Sequence, residues 1–222
     1  MAKPKVAVVL SGCGVYDGSE IHEAVLTMYF LDKYGAELVM AAPDIPQYHV
    51  VNHLTGEEAK GETRNVLVES ARIARGNIKN LKDLNVSEVD AVVFPGGFGA
   101  AKNLTTFAFD GADCKIDPEV ARVVQETVKA KKPLAAVCIS PVLLAKALSG
   151  LKIDPKLTIG TDTGVASAIE KLGGKHISCP VKEAVVDKEN KIITTPAYML
   201  GKSISEVATG IEDMVKKLFE ML

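Results

Sequence analysis

The 222-residue sequence contains no apolar run long enough to cross a membrane. Its first apolar stretch, Val6–Leu10, meets Ser11-Gly12-Cys13-Gly14 at once and is too short for a secretory leader. Cysteine is sparse. Cys13, Cys114, Cys138 and Cys179 are scattered with no C-x-x-C pair, which argues against structural zinc and a redox dithiol. Free thiols without a leader give the expectation of a cytoplasmic protein with no membrane partner. Neither sign of charge dominates: 26 basic and 28 acidic residues leave a net charge of −2, and nothing advertises nucleic acid as a partner. No repeat, low-complexity segment or linker interrupts the chain, so a single domain over residues 1–222 is expected. A P-loop signature is missing, and Gly96-x-x-Gly99 is not a dinucleotide fingerprint.

What is present is the pattern of an α/β protein. Lys5–Leu10, Glu37–Ala42, Asp90–Phe94 and Leu134–Val137 are short, largely β-branched or small apolar runs, as in parallel strands buried on both faces. Leu157–Gly160 is a further candidate strand. Helical patterns fall between them: Glu20–Lys33 capped by Ser19, with Ile21, Val25 and Met28 inward; Thr63–Ala74 with Glu69 outward; Pro118–Ala130; Pro141–Leu148; Val165–Leu172; and Ser203–Leu222. Val185–Ile193 reads as a hairpin standing outside the parallel core, because two β-branched pairs flank a charged turn. The alternation predicts a mostly parallel sheet with helices on both faces.

Cys138 carries the strongest chemical signal. It stands where Leu134–Val137 turns into the Pro141 helix, with Ala136 two residues before and Ser140 two after, the small flanks of a nucleophile elbow. Such a turn places sulfur beside helix N–H groups, which predicts a lowered thiol pKa and the fastest alkylation of the four cysteines. The competing reading is a buried core cysteine. Gly96-Gly97 after another strand lets backbone N–H groups approach a ligand, so Gly97 and Ile139 N–H form a candidate oxyanion hole. Glu20 and Glu23 open the first helix. Both can simply complement its dipole; alternatively one points into a cleft, is held protonated, and shuttles a proton for the thiol. Helix phase favours Glu23 for that role and leaves Glu20 nearer solvent. Cys13, at the same sheet end, is either a second thiol or a small residue filling a turn. His22 adjoins Glu23 but is turned about 100° from it. His49 and His53 read as rim residues, and Cys114 and Cys179 as structural.

Together these features resemble the DJ-1/PfpI superfamily, relatives of class I glutamine amidotransferase domains. The resemblance is closest to its ElbB-like branch, the enhancing-lycopene-biosynthesis, amidotransferase-like proteins. It rests on Ser11-Gly-Cys-Gly-Val-Tyr-Asp-Gly-Ser-Glu-Ile-His-Glu23, Val51-Asn-His-Leu-Thr-Gly56, Thr63-Arg-Asn-Val-Leu67, Pro95-Gly-Gly-Phe-Gly-Ala-Ala-Lys-Asn103, Leu157-Thr-Ile-Gly-Thr-Asp162 and Thr194-Thr-Pro-Ala-Tyr-Met199. The resemblance implies a flavodoxin-like three-layer sandwich and a homodimer. It also implies a reactive cysteine at Cys138, its carboxylate at Glu23, and oxyanion donors at Gly97 and Ile139. For activity it implies a glyoxalase that needs no metal, glutathione or other cofactor and converts glyoxal to glycolate. A deglycase reading and a link to isoprenoid biosynthesis come with it.

This chain departs from the pattern at one point. Ile139 directly follows Cys138, and no histidine occurs after it until His176. A Cys–His–acid triad is not supported, so low turnover is expected and a glutaminase would need a partner to complete its site. A thiol-based redox sensor is the non-enzymatic alternative.

Overall fold

The computed structural model describes residues 3–222. In chain order its main elements are β1 (Lys5–Val9), α1 (Ile21–Lys33), β2 (Glu37–Ala42), β3 (Val51–Asn52), β4 (Glu57–Glu58), α2 (Val66–Ile73), β5 (Lys79–Asn80), β6 (Ala91–Phe94), α3 (Phe98–Lys102) and α4 (Phe107–Asp110). These are followed by α5 (Pro118–Lys129), β7 (Leu134–Val137), α6 (Pro141–Leu148), β8 (Lys156–Leu157), α7 (Thr163–Lys171), β9 (Lys175–His176), β10 (Val185–Asp187), β11 (Ile192–Thr195) and α8 (Ile204–Phe219). Seven strands form one sheet in the order β10-β11-β7-β6-β1-β2-β5. All neighbours are parallel except β10 and β11. This is the flavodoxin-like sandwich expected from the sequence.

The apolar runs are explained by the two faces they supply. Along β1, Val6 and Val8 enter one core with Ala24 and Leu31 of α1 and Ile211 and Met214 of α8. Ala7 and Val9 enter the other with Val120 and Val124 of α5 and Leu143 of α6. β6 divides the same way, Ala91 and Val93 to the first core, Val92 and Phe94 to the second. Successive strand side chains point to opposite faces, so a strand covered by helices on both sides is apolar at every position. From β1 the chain moves to β2 on one side and later to β6 on the other. The carboxyl ends of β1 and β6 therefore flank a topological switch point, where sheets of this type leave a crevice.

Several local expectations are corrected. The hairpin does not stand outside the parallel core. β11 pairs parallel with β7 over Ile192–Thr195, and only β10 is an antiparallel edge. All four β11 residues are buried, which requires a strand with cover on both faces. The strand expected at Leu157–Gly160 is the two-residue β8, paired with β9 apart from the main sheet. Helix α1 is capped by Glu20, whose Oε2 accepts from Glu23 N at 2.6 Å, whereas Ser19 Oγ accepts from Ser11 N at 2.9 Å. Its phase also differs. Ile21 and Val25 are exposed, and the buried face is Glu23, Ala24, Thr27, Phe30 and Leu31. Glu69 of α2 is buried, not outward, and is held by Arg72 Nε at 2.8 Å.

Candidate functional site

The turn from β7 to α6 carries Cys138 in the left-handed region, with φ +62°. A non-glycine residue there stores strain of about 1–3 kcal/mol and persists only when its surroundings hold it. Cys138 N–H donates to Thr195 O at 2.9 Å, and Ser140 Oγ donates to Pro95 O at 2.6 Å. The second bond ties the elbow to the glycine loop after β6. Pro141 opens α6, where its missing N–H costs no helical bond.

The two glycines of that loop are there for space. A Cβ on Gly96 would collide with Glu23 Oε2 and with Cys138 Cβ. Gly97 has φ +102°, and a Cβ on it would strike the backbone of Glu20 and Gly18. Glu20 N–H donates to Gly96 O at 2.9 Å, which fastens the entry of α1 to the loop. Bare backbone thus lets Glu23 and Cys138 meet.

Glu23 has no solvent exposure. Its Oε1 accepts from Tyr198 N–H at 3.1 Å. Its Oε2 faces the Cys138 thiol and the Gly96 amide, yet no donor reaches it with full hydrogen-bond geometry. Burial, with the nearby Glu20 carboxylate adding to it, pushes the Glu23 carboxyl up to about 8. A neutral carboxyl supplies the O–H that the orphaned oxygen and the adjacent sulfur lack. Cys138 is raised well above its ordinary value, first by burial and then by the Glu23 charge, while the N–H groups of Gly97 and Ile139 oppose the rise. This corrects the lowered thiol pKa expected from the elbow. The two N–H donors are present, but desolvation of a buried sulfur outweighs them.

Glu20 also differs from its expected place near solvent. It is only 8% exposed and lines the cleft above Cys138. Its charge helps to keep Glu23 protonated, so Glu20→Gln is expected to move the Glu23 titration below about 8. The pH dependence of Cys138 alkylation reads this out, and an unchanged midpoint contradicts the coupling.

The cleft has a volume of about 330 Å³. Gly97, Cys138 and Ile139 form part of its lining together with Glu20 and Tyr198; no histidine lines it. His22 Nδ1 lies 2.8 Å from Tyr198 Oη and 3.9 Å from Glu20 Oε1, beside the cleft but half-exposed. His176 is not part of the lining. Cys13 is half-buried near Glu69 and Arg72 and does not line the cleft. No group of three potential metal ligands occurs among the described residues. Tyr198 was not singled out from the sequence. Its backbone N–H holds Glu23 across 175 positions, and no local pattern announces such a contact.

Residues 5–199 match the DJ-1/PfpI family. The chain is 50% identical over 226 residues to the human protein named glutamine amidotransferase-like class 1 domain-containing protein 3, mitochondrial, covering 98% of this chain and 83% of that one. A crystal structure of an isoprenoid biosynthesis protein with an amidotransferase-like domain from Ehrlichia chaffeensis is 43% identical, with a TM-score of 0.91, covering 98% of this chain and all of that one. Glyoxalase III from Candida albicans, at 15% identity and a TM-score of 0.64 over 99% of this chain and 97% of that one, shares the fold. The expectation of a cytoplasmic protein is overturned: the relatives from human, rat and zebrafish are all named as mitochondrial proteins. Free thiols do not distinguish one reducing compartment from another. No helix among the described residues is long and apolar enough to cross a membrane.

Proposed function

Since the chain belongs to the DJ-1/PfpI family, we propose that it is a cofactor-independent glyoxalase of the ElbB-like branch, with Cys138 as nucleophile and Glu23 as proton carrier. The observation that carries this reading is the contact between a strained thiol and a buried carboxyl titrating near 8, beneath two backbone N–H donors. The reactive form is the pair holding one proton. Sulfur adds to one aldehyde carbon of glyoxal, and the developing alkoxide, bound by Gly97 and Ile139 N–H, takes the proton of Glu23. The carboxylate so formed removes the C–H proton from the hemithioacetal carbon and delivers it to the neighbouring carbon. One carbon is thereby oxidised to a thioester and the other reduced to an alcohol. Water, activated by Glu23, hydrolyses the thioester to glycolate and restores the thiol. The redox change stays within the substrate.

The same geometry weighs against the other readings. A glutaminase-like site needs a histidine that the cleft does not contain, and a redox sensor needs a thiol more open than Cys138, at 8% exposure. A homodimer belongs to the proposal; exposed Ile21, Val25 and Tyr29 along α1 offer an apolar face for it to bury. Purified protein given glyoxal, followed by NMR, is expected to form glycolate, and Cys138→Ala to fall to the background rate. Glycolate formation undiminished in Cys138→Ala, or none with the unaltered protein, rejects the assignment.

A further inference from the structure

Rearranging glyoxal to glycolate develops charge on two oxygens, one on each carbon. Gly97 and Ile139 N–H serve the oxygen of the carbon that sulfur attacks. When Glu23 removes that carbon's proton, the electron pair forms a carbon–carbon double bond and the second carbonyl opens. Its oxygen then needs a donor of its own. Much of the cleft wall is hydrocarbon, with Phe98 from α3, Phe107 and Ala108 from α4, and Val165 from α7. Among the described residues that line it, Glu20, Cys138 and Tyr198 alone carry an ionisable side chain. Cys138 is the nucleophile. Glu20 Oε2 is an acceptor, bonded to Glu23 N–H at 2.6 Å. Tyr198 is left as the donor.

The chain holds Tyr198 there through a strained turn. Directly after β11, Ala197 has φ +44°, a second non-glycine residue in the left-handed region beside the cleft. The turn sets Tyr198 N–H against Glu23 Oε1 and leaves the side chain in the cleft wall. Burial, reinforced by the charges of Glu20 and Glu23, pushes the phenol up from its ordinary pKa, so it keeps its proton. His22, in the first turn of α1, has Nδ1 2.8 Å from Tyr198 Oη and 3.9 Å from Glu20 Oε1. A carboxylate beside Nδ1 favours the tautomer that carries its hydrogen there. Nδ1–H then donates to Tyr198 Oη, and the phenolic hydrogen is free to turn into the cleft. The other side of this half-exposed ring meets water.

We infer that Tyr198 is the acid that protonates the second oxygen of the substrate, and that His22 is the positioning residue that turns the phenolic hydrogen towards it. The inference rests on the glyoxalase reading for its reaction and on the His22–Tyr198 contact for its donor. As Glu23 takes the C–H proton, the second oxygen takes the phenolic proton, giving an enediol held through sulfur. Tyr198 regains a proton from His22 Nδ1, and the ring takes the replacement from water. Glu23 then protonates the second carbon. The hydroxyl on the first carbon releases its proton as the thioester carbonyl forms. One proton enters and one leaves, and the electrons stay within the substrate.

The test reads the second oxygen apart from turnover. Glycolaldehyde and acetaldehyde both form reversible hemithioacetals with a thiol, and only glycolaldehyde has an oxygen on the neighbouring carbon. They are compared as protectants of Cys138 against iodoacetamide, each variant normalised to its own rate without aldehyde. Peptide mapping scores the result, with Cys13, Cys114 and Cys179 as internal references. One hydrogen bond shifts such an equilibrium by roughly two- to tenfold. Tyr198→Phe keeps the backbone N–H on Glu23. It is expected to raise the half-protecting concentration of glycolaldehyde at least threefold, to leave that of acetaldehyde unchanged, and to lower kcat for glyoxal about a hundredfold. His22→Leu makes the same comparison without touching the turn and is expected to show the same selective loss. His22→Asn, whose amide N–H replaces Nδ1–H, is expected to restore it, and His22→Leu to add nothing to Tyr198→Phe. Equal effects on the two aldehydes overturn the Tyr198 assignment whether or not glyoxal is turned over. Additive losses in the double variant overturn the role of His22. A loss confined to glycolaldehyde, in a protein that forms no glycolate from glyoxal, supports Tyr198 as the donor and rejects the glyoxalase reading.

Discussion

Glu23→Gln is expected to lower glyoxal turnover by about 10²–10⁴-fold while Cys138, above about pH 8 where Glu23 carries its charge, alkylates faster than in the unaltered protein. The two effects have opposite signs because Glu23 acts on the thiol and on the substrate differently. Its charge raises the thiol pKa, and an amide removes that contribution. The proton transfer between carbons, in contrast, has no carrier once the carboxyl is gone. A residue that merely packed against Cys138 would not divide the two readouts in this way. Parallel loss of alkylation and turnover, or loss of neither, would reject Glu23 as the proton carrier.

The pH dependence follows from the same pair. With both groups protonated, sulfur is a thiol and Glu23 cannot act as a base. Loss of one proton creates the reactive form, and the pair releases it at about pH 8. Turnover is therefore expected to rise with pH through about 8, measured as kcat/KM for glyoxal. Stability responds in the other direction. The folded carboxyl titrates near 8 against 4.5 for an ordinary one. The unfolded chain therefore gives up this proton first as pH rises, and the contribution of Glu23 to stability is full below about 4.5 and falls until about 8. Thermal unfolding of Glu23→Gln beside the unaltered protein at pH 5 and pH 8 is expected to show the variant gaining relative stability at the higher pH.

Gly96→Ala is the second change with a large expected effect. The new methyl group would occupy space held by Glu23 Oε2 and Cys138 Cβ, and neither is the free end of a flexible chain. Glu23 is fixed by Tyr198 N–H, and Cys138 Cβ is fixed by an elbow bonded to Thr195. Overpacking of this kind costs about 1–3 kcal/mol, which for a domain of this size lowers Tm by roughly 2–12 °C. The methyl group also separates carboxyl from thiol, so turnover is expected to fall at least a hundredfold even where the protein remains folded. Differential scanning calorimetry and glycolate formation measure the two effects separately. A variant with unchanged Tm and activity would mean that the close approach over Gly96 is not required.

Much of this site is legible along the chain because its parts lie at the ends of strands. Leu134–Val137 and Pro141–Leu148 have the observed bounds, and the single turn between them leaves Cys138 at an elbow. Gly96 and Gly97 follow β6 directly, and parallel strands bring all such turns to one edge. Where periodicity misled, a polar residue had taken a buried position or an apolar one an exposed position. Glu23 occupies the inner face of α1 while Ile21 and Val25 face outward, so a rule that sends apolar residues inward assigns the wrong phase. The β11 strand was misplaced for a different reason. Its charged turn is a local signal, but pairing with β7, 58 positions earlier, leaves no local mark.

The sequence by itself determined the layered fold and the place of Cys138 at a strand-to-helix turn, because runs buried on both faces, a small-flanked turn and adjacent glycines are all local patterns. Only the tertiary structure decided how that thiol behaves. Its raised pKa comes from burial by several elements at once, and the protonation of Glu23 depends on Glu20 and on an N–H from Tyr198. The apolar walls arrive from the neighbouring helices α3 and α4 and, from far along the chain, from α7. Desolvation and through-space charge depend on what surrounds a group in three dimensions, and that is settled only when segments far apart in the chain are packed together.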